Sequence, residues 1–219
     1  MTHPKSILNC FFDLDGTLTD PREGIVNSIR YALTGLGYKS PDDTTLALCI
    51  GPPLRDCFVT LLQNDDAKLI EEAIRLYRER FTKTGMFENT LYPGIVNLLE
   101  NLFKNNLTLY VVTSKPAVFA RIIVKHFQID AYFKAIYGAE LDGRLGDKSD
   151  LIAHVLHTEK LHPKNAIMIG DRKHDIIGAN NNNVVSIGVS WGYGSLEELE
   201  QAAPERICHT LSELQSALI

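Results

Sequence analysis

The chain has 219 residues, 45% of them hydrophobic and 22% charged, with a formal net charge of −5. That composition suits one good core with room for a smaller second domain. The acidic balance argues against a general nucleic-acid-binding surface, leaving at most a local basic site, and no apolar run approaches the ~20 residues of a membrane span.

Residues 1–6 lack the apolar centre of a signal peptide. Cys10, Cys49, Cys57 and Cys208 are scattered without C-x-x-C spacing. They read as reduced thiols rather than a disulfide framework or zinc site, and a cytoplasmic location is expected.

The first element is a short apolar run (Ile7, Leu8, Cys10, Phe11, Phe12) that leads straight into Asp13-Leu14-Asp15-Gly16-Thr17-Leu18. It reads as a buried strand with two acids at its carboxyl end. In an open α/β sheet, that end is where ligands bind. Asp13 and Asp15 should project into one cleft, with Leu14 turned away between them. Like charges this close repel, and the usual remedies are a bound cation, a protonated carboxyl, or both. Taken alone, the segment also reads as a strand ending in an ordinary turn.

A helical block follows. Pro21 opens a helix carrying Ile25, Ile29, Ala32, Leu33 and Leu36, which ends near Gly35 and Gly37. After the Gly51-Pro52-Pro53 turn, helices are predicted over 54–62 and 66–82, and no strand is evident over 19–89. Beyond Tyr92-Pro93-Gly94 the pattern alternates. Helices are predicted over 95–104, 116–127, 148–156 and 174–181, and strands over 107–113, 135–137, 166–170 and 184–189. A short helix near Leu196, a strand over 207–209 and a helix from Ser212 complete the chain. Alternating strands and helices imply a parallel sheet covered on both faces. The expected fold is α/β: a Rossmann-like parallel-sheet core (1–19 and 89–219) with a helical-bundle cap (20–88) inserted after the first strand.

Parallel strands from βαβ units bring their carboxyl ends to one edge. That edge would hold Asp13 and Asp15, then Thr113, Ser114 and Lys115, then Asp171 and Asp175, with Lys148 opening a nearby helix. Carboxylate oxygens without clustered His or Cys suit Mg²⁺, and hydroxyls, lysine and free amides suit a phosphate. Metal, phosphate and a free carboxylate together imply phosphoryl transfer to an aspartate.

Phe-Asp-Leu-Asp-Gly-Thr-Leu, Val-Val-Thr-Ser-Lys, Lys148 and Gly-Asp-Arg-Lys-His-Asp resemble, in order, the four motifs of the haloacid dehalogenase superfamily. The helical insert resembles that superfamily's type-one cap. Thr-Asp-Pro-Arg-Glu-Gly-Ile, Ile-Gly-Pro-Pro-Leu, Tyr-Pro-Gly-Ile and Trp-Gly-Tyr-Gly-Ser are similar to sequences called phosphoglycolate phosphatase or 5′-nucleotidase.

The resemblance implies an Mg²⁺-dependent phosphomonoester hydrolase. Asp13 would be the nucleophile and Asp15 the general acid and later base, with its backbone carbonyl on the metal. Dehalogenases lack that second acid, since a halide needs no proton. Asp13, Asp15 and Asp171 would hold the ion, with Asp175 behind them, accepting from a metal-bound water or from Lys148, and on the same helix face as Asp171 if the helix begins there. Thr113 and Lys148 would bind the transferring phosphoryl group, aided by Ser114 and the amides of Leu14 and Asp15. Arg55, and less so Arg22, could grip an anionic group from the cap. His174 reads as a surface histidine rather than a ligand.

Phosphoglycolate is the first expected substrate and a nucleoside 5′-monophosphate the rival, with Phe58, Trp191 or Tyr193 offering stacking surfaces. A phosphosugar mutase and phosphonate cleavage fit less well. In a different class stands a non-catalytic phospho-ligand sensor. The expected partner is a small phosphate ester bound by a monomer or homodimer, without nucleic acid or membrane.

Overall fold

The computed structural model describes residues 8–219. Ile7, expected in the first strand, lies outside them, as does the N-terminal segment read for a signal peptide. Among the described residues, no helix is long and apolar enough to cross a membrane.

The chain forms two compact units. The larger comprises the described residues up to Thr19 together with Leu91–Ile219, and the smaller is Asp20–Thr90. In chain order the elements begin with β1 (Asn9–Phe12), β2 (Thr19–Asp20), α1 (Arg22–Gly35), α2 (Asp43–Ala47), α3 (Leu54–Leu62), α4 (Ala67–Arg80), β3 (Thr90–Leu91) and α5 (Ile95–Lys104). They continue with β4 (Thr108–Pro116), α6 (Ala117–His126), β5 (Phe133–Ala139), α7 (Lys148–Glu159), β6 (Ala166–Gly170), α8 (Lys173–Asn181), β7 (Val185–Val189), α9 (Leu196–Ala202), β8 (Arg206–Cys208) and α10 (Leu211–Leu218).

The larger unit is built on a six-stranded parallel sheet in the order β5-β4-β1-β6-β7-β8. β1 is central, with Phe12 level with Val111 of β4 on one side and Ile169 of β6 on the other. Strand order reverses at β1, because the chain first builds outward through β4 and β5 and then returns to β6. That reversal opens a crevice beyond the carboxyl ends of β1, β4 and β6. All four residues of β1 are buried, as expected of a strand covered on both faces. Under one face, Phe11, Tyr110, Val112 and Met168 pack with Leu151, Ile152, Val155 and Ala179. The Phe11 and Tyr110 rings meet edge to face at 5.5 Å.

The smaller unit is helical, with α1 packed on α4. Two short strands, β2 and β3, pair where the chain passes from one unit to the other and back. The helix predicted over 66–82 ends sooner, since α4 gives way to a π-helical turn at Phe81–Gly85. Gly24 of α1 lies against that turn, and its N–H donates to the Glu88 carbonyl at 3.0 Å. A Cβ on Gly24 would fall 1.8 Å from the Gly85 carbonyl oxygen. Arg80 forms a bidentate pair with Glu88, both contacts at 2.8 Å.

The expectation of four reduced thiols needs correction. Cys49 and Cys57 form a disulfide, with Cα atoms 5.5 Å apart across a separation of eight residues. The Gly51-Pro52-Pro53 segment lies between them, joining α2 to α3, and the closeness of the two cysteines is not conveyed by spacing alone. Cys10 and Cys208 are free and buried, and burial pushes their thiols up to about 12 and about 11.

The Gly24–Gly85 approach leaves no room for a methyl group. Gly24→Ala should lower stability by about 1–3 kcal/mol, the usual cost of overpacking. Urea denaturation followed by circular dichroism measures this, and an unchanged midpoint would contradict the close packing.

Candidate active site

The acids gather at the crevice because the strand ends do. The ladder continues one residue past β1, with the Asp13 N–H donating to the Ile169 carbonyl at 2.9 Å. Asp13 is thus fixed by main chain as well as side chain. Gly16 then turns the chain with φ +84°. A Cβ there would fall 2.2 Å from Asp171 Oδ2, so this glycine is needed both for its backbone angle and for space. Asp171 follows β6 directly, and Gly170 before it clears room for Asp175, whose carboxylate oxygen would lie 2.2 Å from a Cβ at that position.

Asp175 was expected behind the ion, accepting from a bound water or from Lys148, and on one helix face with Asp171 if the helix began there. Instead α8 begins at Lys173, leaving Asp171 in the preceding turn. Asp175 caps the helix start, accepting from the Arg172 N–H at 3.1 Å. It also reaches the cluster itself: Asp13, Asp171 and Asp175 each offer an oxygen within 4.8 Å of the others, and all three are buried. The Asp15 side chain is outside this trio. His174 is half-buried and not part of it.

Lys148 is the first residue of α7, where the Asp147 side chain accepts from the Ser149 and Asp150 amides. Its Nζ donates to Asp13 Oδ1 at 3.0 Å and to the Val112 carbonyl at 3.0 Å, and lies 2.7 Å from Asp175 Oδ1. Burial would lower this ammonium, but the Asp13 and Asp175 carboxylates outweigh it and hold it above the ordinary lysine range.

Sequence reasoning put Lys115 at this edge but did not give it a partner. Lys115 Nζ sits 2.6 Å from Asp15 Oδ2, with both side chains largely buried. β4 is irregular here: Thr113 pairs with Gly138 and Pro116 with Ala139, so Ser114 and Lys115 form a bulge. Bulges re-aim side chains and recur beside active sites. Gly138 accommodates it, since a Cβ there would fall 2.4 Å from the Lys115 carbonyl oxygen. The signal available in sequence was only the lysine's place after Thr113-Ser114. Thr113 is buried, and its Oγ1 accepts from the Lys115 N–H at 3.3 Å. Ser114 is half-buried.

Four carboxylates and two ammonium groups therefore share a nearly dry pocket. Burial pushes Asp171 up to about 8, with Asp175 and Asp13 adding repulsion. Burial also raises Asp15 and Asp175, opposed by Lys115 and Lys148 respectively. The excess of two negative charges and the hard oxygen donors fit one divalent cation such as Mg²⁺.

Arg55 is exposed on the smaller unit and pairs with Glu71 at 2.8 Å. Arg22 is exposed, with its N–H on Asp20. Phe58 is fully buried, edge to face with Tyr77, which removes it as a stacking surface.

Acids grouped at the switch point of a Rossmann-like sheet, with a lysine against the first of them, are the arrangement of haloacid dehalogenase-like hydrolases. A family model of that description matches residues 10–189, and the chain belongs to this family. Its class is phosphatase. A 5′-nucleotidase of Pseudomonas aeruginosa is 50% identical over 210 residues, covering 96% of this chain and 95% of that one. A phosphoglycolate phosphatase of Colwellia psychrerythraea is 27% identical, covering 94% and 95%. A solved structure of a predicted phosphatase from Clostridium acetobutylicum superposes with TM-score 0.93 at 42% identity, covering 97% and 98%.

The raised acids have a pH consequence in ion-free protein. The folded state holds protons on Asp171 that the unfolded chain, near the ordinary value of 3.8, has already lost. Folding then binds more protons between about pH 4 and pH 8, so stability falls as pH rises through that window. In chelator, the melting temperature should drop from pH 6 to pH 8.5, and Asp171→Asn should flatten the slope.

Proposed function

We propose that the chain is a divalent-cation-dependent phosphomonoester hydrolase working through an aspartyl-phosphate. The observation that carries this is the Lys148 ammonium 3.0 Å from Asp13 Oδ1 at the crevice. It sets a fixed cation beside that carboxylate, where a transferring phosphoryl group would carry its negative charge. Asp13 attacks phosphorus, an Asp13–phosphorus bond forms, and the bond to the leaving oxygen breaks. Asp15 gives its proton to that oxygen. Asp15 then takes a proton from water, whose oxygen attacks the phosphoryl group and frees Asp13 and inorganic phosphate. The support for this role is that Asp15 Oδ1 is buried without a hydrogen-bond partner and that burial raises the carboxyl even against the Lys115 ammonium on its other oxygen.

Thr113 and Lys148 bind the phosphoryl oxygens, with Ser114 and the Leu14 and Asp15 amides beside them. Asp13 and Asp171 would hold the ion together with the Asp15 carbonyl, with Asp175 beside them. When bound, Mg²⁺ supplies charge neutralisation between the nucleophile and the phosphoryl oxygens.

For the substrate, a nucleoside 5′-monophosphate takes precedence over phosphoglycolate. The nucleotidase relative is 50% identical along nearly the whole chain, against 27% for the phosphoglycolate phosphatase. Phosphoglycolate stays as the second reading on the strength of the motif resemblance. Arg55 stays as the proposed grip on an anionic substrate group.

The test is phosphate release from nucleoside monophosphates, phosphoglycolate and sugar phosphates, with and without Mg²⁺. Mg²⁺-dependent release is expected, absent in Asp13→Asn and reduced by about 10²–10⁴-fold in Asp15→Asn, the range of acid–base catalysis. Arg55→Ala should raise KM with little change in kcat. Release that persists in Asp13→Asn would overturn the nucleophile, and a preference for phosphoglycolate would reverse the substrate order.

A further inference from the structure

Asp171 is enclosed by a segment that the four motifs do not contain. A Cβ on Gly192 would fall 2.3 Å from its Oδ2, and one on Gly194 would fall 2.0 Å from its carbonyl oxygen. With Gly16, whose Cβ would fall 2.2 Å from the same Oδ2, three glycines lie against one buried acid. The residues between and beside them make directed hydrogen bonds. The Tyr193 N–H donates to Asp171 Oδ2 at 2.8 Å, and the Thr17 hydroxyl donates to Oδ1 at 3.1 Å. The Trp191 indole N–H donates to the Thr17 carbonyl at 3.1 Å. Both carboxylate oxygens are thus held by a hydrogen bond, and each keeps lone-pair capacity for another partner.

We propose that Thr17 and Trp191 are positioning residues for the divalent cation. Thr17 fixes the plane of the Asp171 carboxylate, and Trp191 fixes Thr17 by holding its carbonyl. Asp171 then stands ready to ligate alongside Asp13, with no side-chain freedom left to lose on binding. Supports of this kind typically set metal affinity within one to two orders of magnitude. The inference rests on reading the acid cluster as a cation site. It adds two residues whose role is in ion binding rather than in phosphoryl transfer. Trp191 is also the single tryptophan of the chain, so its emission reports on the site directly.

The experiment titrates Mg²⁺ into chelator-stripped full-length protein, read by calorimetry and, where Trp191 is present, by tryptophan emission. Thr17→Val and Trp191→Phe should each weaken Mg²⁺ binding by roughly 10–100-fold. Thr17→Ser, which keeps the hydroxyl, should bind like the parent. Parent emission should change with the same midpoint as the heat signal. Melting in chelator should stay close to the parent for Thr17→Val and Trp191→Phe. Unchanged affinity in both variants, with the parent binding Mg²⁺, would overturn this inference alone. So would a loss of affinity matched by loss of folded protein in chelator. A parent that binds no Mg²⁺ would overturn the cation reading beneath it as well.

Discussion

Like charge forced into a dry place is the constraint that organises the larger unit. Asp13, Asp15, Asp171 and Asp175 lie together beyond the ends of β1 and β6, and water does not screen them there. Two ammonium groups offset part of this. Each is aimed by a different device: Lys148 by the capped start of α7, and Lys115 by the bulge in β4. The rest of the imbalance appears as carboxylates pushed toward neutrality, Asp171 most clearly. A site with these properties is unfavourable for folding and useful for chemistry, and the sheet around it supplies the stability to hold it.

Space is the second half of that arrangement. Bringing acids from separate strand ends together needs backbone to pass close to carboxylates. Gly16, Gly170 and Gly192 all stand where a Cβ would overlap an acid. Gly178 does the same for the lysine, since its Cβ would fall 2.9 Å from Lys148 Cγ. Charge decides which side chains meet, and missing side chains let them meet.

Much of the sheet was legible because its signals are local. Apolar runs such as 166–170 and 107–113 lie between helical patterns, and a strand's length and flanking turns are written in neighbouring residues. The acids at the ends of β1 and β6 followed from the rule that parallel strands share an edge. The role given to Lys148 leaned on resemblance, because a lysine at a helix start has no distinguishing chemistry in sequence. Contacts that depend on irregular backbone were not legible. The Lys115–Asp15 pair needs the β4 bulge, the Cys49–Cys57 bond spans the Gly51-Pro52-Pro53 segment, and the hold on Asp171 needs a loop about twenty residues further along. In each case the partner is chosen by chain geometry that no periodicity records. The shared helix face of Asp171 and Asp175 was conditional on a helix beginning at Asp171, and α8 begins at Lys173, while the Lys148 contact expected of Asp175 is present at 2.7 Å.

Asp13 extends the ladder of the central strand, its amide bonded to Ile169, while β1 is paired on both sides. Amides in such positions exchange with solvent only when the whole domain opens, whereas those in loops exchange through local fluctuation. The residue proposed to attack phosphorus therefore belongs to the most cooperative part of the molecule. Its backbone cannot loosen to suit a substrate of a different size. Any adaptation has to come from the parts that border it, and the reacting carboxylate itself behaves as a fixed point for as long as the sheet is folded.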